Sequence, residues 1–308
     1  MSEPGRSRWQ RIWDSDIAYS FSQSPITIAA ALITFLIAFA AVFAPLLSPH
    51  TPFDPATVDL MDGSLPPVWI EGGDVRYLLG TDDQGRDILS MLMYGARISI
   101  GIGLASVVFA MILGVSLGLL SGYMGGRVDA FIMRVADVQL TFPAILIAML
   151  IDGVARAVLP RGAHDDVALY VLIFAIGMSY WVQYARTVRG STLVERNKEY
   201  VQAARVIGVS SLTIMIRHIL PNVMGPVLVI ATINLAIAII TEATLSFLGL
   251  GLPPTEPSLG TLINIGNDYL FSGEWWITVF PGAALAILVL AVNLLGDWMR
   301  DALNPKLR

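Results

Sequence analysis

The chain has 308 residues, 55% of them hydrophobic and 14% charged, against about 25% charged in ordinary soluble domains. Its apolar excess is gathered into long charge-free runs, which places the chain in the membrane class. The absence of cysteine excludes a disulfide framework, thiolate metal sites and a cysteine nucleophile. The net charge of −5 is uninformative as a total, because in a membrane protein the split of charge between the two sides carries the information.

A helix needs about 20 mostly apolar residues to cross roughly 30 Å of hydrocarbon, and six segments approach or meet that test, which predicts an all-α polytopic protein. After an N-terminal segment, 1–24, the first span is expected at 25–47. Ala38-Phe39-Ala40 resembles a signal-peptidase triplet, but cleavage there would release 40 residues where about 15–30 is usual, and Asp14 and Asp16 stand beside the leading arginines. An anchor is therefore expected. An outer loop, 48–97, follows, in which Asp82, Asp83, Arg86 and Asp87 are read as capping or pairing structurally.

The core, 98–296, opens with a second span from Ile98 to about Gly122. Gly114, Gly118, Gly122 and Gly126 form a stripe where another helix approaches, from this chain or from another. The third span is expected to begin near Val138, with Asp152 and Arg156 in its outer turn, since a charge at mid-membrane costs about 2.5–3.5 kcal/mol. The remaining spans are expected at about 167–184, 222–240 and 276–295, and a tail, 297–308, ends the chain. With these spans, 14 of the 19 Lys and Arg fall on the side of the termini, which predicts that both ends and the loop 186–221 are cytoplasmic.

The loop 186–221 is long and basic yet patterned as helix, turn, helix. It contains EYVQAARVIGVSSLTIMIRHILPN, residues 199–222, in which Gln202-Ala203-Ala204 is followed after three residues by Gly208 and after nine more by His218-Ile219-Leu220-Pro221. Small Ala203 and Ala204 suit a helix lying deep in a groove, Gly208 permits a sharp reversal, and Leu220-Pro221 suits the first turn of the next span. An amphipathic helix held at anionic lipid by Arg196, Lys198 and Arg205 is the competing reading.

This spacing resembles the signature loop of ABC import permeases, Glu-Ala-Ala, three residues, Gly, nine residues, Ile-x-Leu-Pro, with departures at Gln202 and His218. LLGTDDQGRDILSMLMYGARISIGIG, 78–103, and TEATLSFLGLGLPPTEPSLGTLINIG, 241–266, are similar to segments of the dipeptide, oligopeptide and nickel branch of that family, which usually has Trp where this chain has Leu259. The resemblance implies a type I importer permease fold in a bacterial inner membrane, importing di- or oligopeptides, with a nickel or other small-solute permease of the same branch as the alternative. It implies coupling to the ATPase through Tyr200, Gln202, Ala203, Ala204, Arg205, Gly208, Leu220 and Pro221. The implied partners are a second, different permease, two ATP-binding subunits that hold ATP and Mg, and an extracytoplasmic substrate-binding protein, besides membrane lipid. Nucleic acid is not among them.

The chain itself is expected to be non-enzymatic and to bind no cofactor. His50, His164 and His218 are too scattered for a metal site, no hydrolytic constellation is present, and Lys198 and Lys306 follow Asn and Pro rather than the Gly of a phosphate-binding loop. Asn234, Thr241 and Glu242 are candidates to line a translocation path, since polar groups on a span are costly unless they face other helices or water. An ion-driven secondary transporter is the rival class. A proton-coupled one would keep ionisable relays inside the membrane, whereas the charges here can be placed at the span ends.

Overall fold

The computed structural model describes residues 16–54, 58–160, 163–253 and 255–302, with the side chains of 16–18 and 163–166 not described. Most of the expected N-terminal segment, the end of the tail and the side chain of His164 therefore lie outside the described residues. The described chain is helical, without a named strand. Short helix α1 (Asp16–Ser22) leads to α2 (Pro25–Val42), where Ser24 accepts from Thr27 N and Pro25 occupies the first turn. The helix breaks at Phe43 and resumes as α3 (Ala44–Leu47), so the first apolar segment is two pieces around Pro45.

Helix α4 (Ile88–Met124) starts ten residues earlier than the expected second span, because Asp87 caps it by accepting from Ser90 N at 2.9 Å. Next come α5 (Gly126–Leu140), α6 (Ala144–Val158) and α7 (Ala163–Glu195). Helix α8 (Glu199–Val206) precedes α9 (Ser211–Phe247), which is π-helical over Ile214–Ile219. Helices α10 (Leu259–Asn267) and α11 (Trp276–Ala302) complete the set. Five of these helices, α2, α4, α7, α9 and α11, are long and apolar enough to cross a membrane, and α5 with α6 makes a sixth if the bent pair is one span.

That pair corrects the expected third span. Val138 belongs to the last turns of α5, the helix ends at Leu140, and α6 sets off at 93° to it. Pro143 explains the break: its ring disfavours helical backbone at Phe142, and it stands at the N-cap of α6 with φ −56°. Asp152 and Arg156 ion-pair within α6 (Nε–Oδ2 2.7 Å), Asp152 is buried, and the guanidinium reaches Gly251 O beyond the end of α9.

The glycine stripe packs within the chain. A Cβ on Gly114 would stand 2.4 Å from Trp181 O, on Gly118 2.4 Å from Ala185 O, and on Gly122 2.7 Å from Thr192 Cβ, so α4 lies backbone to backbone on α7. Gly126 takes no part, with nothing within 4 Å of such a Cβ. Helix α5 is pinned across α7 by polar bonds: Arg189 grips Asp129 through two nitrogens (2.5 and 2.7 Å), and Trp181 Nε1 donates to Gln139 Oε1 at 2.7 Å. Helix α9 then lies on α4 and α7, burying Val227, Ala238 and Leu245, and α11 joins it around Leu288 and Val292.

Candidate functional site

The segment 195–222 closes one end of the bundle. Helix α8 is only eight residues long and too short to hold itself in water, so its order comes from packing. Val201 and Ala204, three apart on one face, are buried against Val188, Ile214, Ile219 and Val223 of α7 and α9. Gln202, Ala203 and Arg205 lie on the exposed side, continuing into Val206 (86% exposed) and Ile207 (77%). The two alanines expected to enter a partner's groove together are thus divided: Ala203 faces outward, and Ala204 fills a space in its own chain.

The helix ends in a Schellman turn. Gly208 N donates to Arg205 O and Val209 N to Ala204 O, both at 3.0 Å, and Gly208 has φ +81°, where a side chain is strained. Val209 then packs on the same cluster as Ala204. Ser210 caps α9, accepting from Thr213 N. Pro221 stands, as the sequence suggested, in the first turn of the regular α-helical part of α9, Leu220–Phe247. That part follows directly on the π segment Ile214–Ile219.

Tyr200 joins three elements. Its hydroxyl donates to Glu195 Oε2 at 2.5 Å at the end of α7 and accepts from Asn222 Nδ2 at 3.1 Å on α9. Partial burial and the neighbouring Glu195 carboxylate push the Tyr200 hydroxyl pKa above its usual value. Lys198 Nζ takes the other oxygen of Glu195. Gln202 uses its amide within the loop, donating to Asn197 O at 3.0 Å, a bond that the family's glutamate could not donate. Arg205 stacks over the Tyr123 ring at 4.9 Å, and Arg196 donates to Gly122 O, so the last turn of α4 is held as well.

Residues 114–308 match the family described as binding-protein-dependent transport system inner membrane component. This chain belongs to that family. Residues 7–67 of the permease also match the N-terminal TM domain of oligopeptide transport permease C. The permease is 40% identical to the Di/tripeptide transport system permease protein DppC of Pseudomonas aeruginosa over 94% of this chain and 91% of that protein. It is 37% identical to the Oligopeptide transport system permease protein OppC of Bacillus subtilis over 100% of this chain and 93% of that protein. A chain of the MetNI methionine ABC transporter, solved in inward facing conformations, shares the fold at a TM-score of 0.55 and 20% identity, over 70% of the permease and 98% of that chain.

The second candidate set lies at the other end of α9. Glu242 is fully buried, with Ser99 and Ser246 hydroxyls each donating to its carboxylate at 2.7 Å. Ser99 also accepts from Leu259 N at 3.2 Å, so one hydroxyl links α4, α9 and α10. Leu259, where relatives in the branch usually have Trp, is itself buried. Thr241 bonds the Tyr180 hydroxyl at 2.8 Å. Asn234, Tyr184 and Ser106 line a narrow crevice between helices that is too tight to admit a water molecule. All three candidates are shut between helices of their own chain, with exposures of 2, 6 and 0% for Asn234, Thr241 and Glu242, rather than ranged along an open channel.

Sequence reasoning missed the glycines that seal this end. A Cβ on Gly251 would meet Ser246 Oγ at 2.2 Å and on Gly260 Ala243 O at 2.4 Å, so the 241–266 motif is a close-packed clamp of loop and helix. Its spacing of glycines was the available signal. The acidic cluster behaves as expected: Asp82 pairs with Arg86 at 2.6 Å and accepts from the Gln84 and Arg86 amides, and burial pushes its carboxyl pKa up. His50 lies beside Asp87 at the start of α4, and His218 lies in the π segment near Tyr200, at the opposite end of the bundle.

Proposed function

We propose that the permease carries di- or oligopeptides across the bacterial inner membrane, driven by separate ATP-binding subunits that dock on α8. Its relatives' names supply the substrate class. The observation that carries the coupling role is the division of α8 into an anchored face, Val201 and Ala204, and an outward rim of Gln202, Ala203, Val206 and Ile207. A partner touching that rim moves α8, and through Tyr200, Glu195 and Asn222 it moves α7 and α9 together. ATP and Mg belong to the partners, since the chain has no phosphate-binding loop of its own.

The complete importer on this reading holds a second, different permease, two ATP-binding subunits and an extracytoplasmic binding protein. The distribution of basic residues supports a topology with both termini and α8 in the cytoplasm and the end carrying Glu242 and α10 outside. A C-terminal alkaline phosphatase fusion is expected to be inactive, and activity would reverse the topology. The coupling test reconstitutes Ala203→Arg with its partner subunits and binding protein. Expression and folding should match the parent, while peptide-stimulated ATP hydrolysis and uptake fall together. Full coupling in that variant would remove α8 as the contact.

A further inference from the structure

Within the expected outer loop, residues 67–78 form a small closed loop that the transport reading does not use. Its ends are tied by Val68 N donating to Leu78 O at 3.3 Å, and its interior by Ile70 N to Pro67 O and Tyr77 N to Asp74 O. It is rigid for its size. A Cβ on Gly73 would stand 2.4 Å from Pro67 O, and Gly72 has φ +90°. Yet Trp69 (58%), Val75 (87%) and Leu78 (52%) project from it exposed, an unusual face for a loop in water.

The position of the loop follows from α11. Residues 276–295 carry no charge, and at about 1.5 Å per residue they match the roughly 30 Å of hydrocarbon that a span crosses. Aromatic pairs mark both ends of that length: Trp275 lies 5.7 Å from Phe280 at the start, and Phe21 packs edge-on to Trp298 at 5.1 Å near the finish. Trp69 meets the same Phe280 ring edge-on, at 6.1 Å and 82°. Phe280 lies one turn inside α11, so this contact sets Trp69 at the depth where a bilayer changes from headgroups to chains.

The charges of the loop agree with that depth. Arg76 spans Asp62 (3.0 Å) and Asp74 (2.8 Å), and Tyr77 donates to Asp62 at 2.9 Å, so these groups satisfy one another, while Glu71 stays exposed. A loop that pairs Asp74 with Arg76 and exposes apolar tips loses little on entering the headgroup region, where the exposed Glu71 keeps its water.

We propose that residues 67–78 are a membrane-surface anchor, with Trp69 and Val75 seated among lipid headgroups of the leaflet at the N-terminal end of α11. Under the topology proposed above this is the outer leaflet, although the inference itself requires only that α11 spans. Lipid fixes this loop at a set height, and the Thr81 carbonyl that accepts from Trp276 Nε1 at 3.0 Å ties that height to the span.

The native absence of cysteine makes a direct test available. Single cysteines at Trp69→Cys and Val75→Cys carry a nitroxide spin label in the full chain, assembled with its partners in phosphatidylcholine bilayers. Collision with oxygen and with a water-soluble nickel chelate is then measured, with Glu256→Cys as the aqueous reference and Leu290→Cys as the hydrocarbon reference. The expected ratio of oxygen to nickel accessibility lies between the two references at both positions, several-fold above Glu256→Cys. Nickel accessibility equal to that of Glu256→Cys would overturn the proposal in favour of a loop in water. Low accessibility to both reagents would overturn it in favour of a protein partner covering the face. Val75 is 87% exposed, so its label reports even if the Trp69 change loosens the loop.

Discussion

The same turn stands on either side of α9, closing α8 before it and α9 itself at its end, yet the two settings differ. At Gly208 and at Gly249 the backbone turns through positive φ (81° and 78°) with paired Schellman bonds, the latter from Leu250 N to Leu245 O. Before Gly208 the surface is open, with Val206 and Ile207 standing in the clear. Past Gly249 it is sealed, with Gly251 and Gly260 pressed on α9 and Glu242 locked under serine hydroxyls. One cap chemistry thus stands beside an open surface at one end and a clamp at the other, and the packing around the cap decides which.

Four substitutions test that contrast. Gly260→Val should have the largest effect, since its side chain would drive into Ala243 backbone at 2.4–2.5 Å, and overpacking of this kind costs about 3 kcal/mol. Loss of the monodisperse peak in detergent chromatography measures it. Ala204→Arg comes next, because it forces a charge into the cluster of Val201 and Ile219 and costs about 2 kcal/mol or more. Thermal unfolding should show α8 loosened, in contrast to Ala203→Arg on the open rim, which should leave the melting temperature unchanged.

Gly208→Val meets no atom, so its cost is the left-handed backbone alone, about 1–2 kcal/mol. The variant should insert and bind its partners while uptake per ATP falls, and unchanged coupling would show that the turn need not hold its shape. Tyr200→Phe should be the mildest, about 1 kcal/mol for bonds that are partly exposed. Proteolysis between α7 and α8 should quicken slightly.

The spans were legible because charge-free runs of the right length have few alternatives in a membrane. The break at Pro143 was not read, although proline after Phe142 was its signal, because the interruption at Asp152 drew the boundary instead. In the loop, the position of Gly208 followed from spacing, but the opposite facings of Ala203 and Ala204 did not. Adjacent residues on a helix differ by about 100°, and only the placement of α7 and α9 shows which one turns inward. The polar residues of α9 illustrate the same limit: composition marks Glu242 as needing partners, while the identity of Ser99, 143 positions away, lies in the fold.

The glycine stripe has a mechanical meaning. With Gly114, Gly118 and Gly122 set against the carbonyls and side chains of α7, the two helices cannot slide along each other without driving an oxygen into a Cα, so the pair behaves as a single stiff beam. The beam is gripped by Arg196 and Glu195 where α8 attaches and carries Ser99 near its far end. A small tilt imposed at one extremity is therefore delivered to the serine-and-glutamate clamp at the other with little lost to bending.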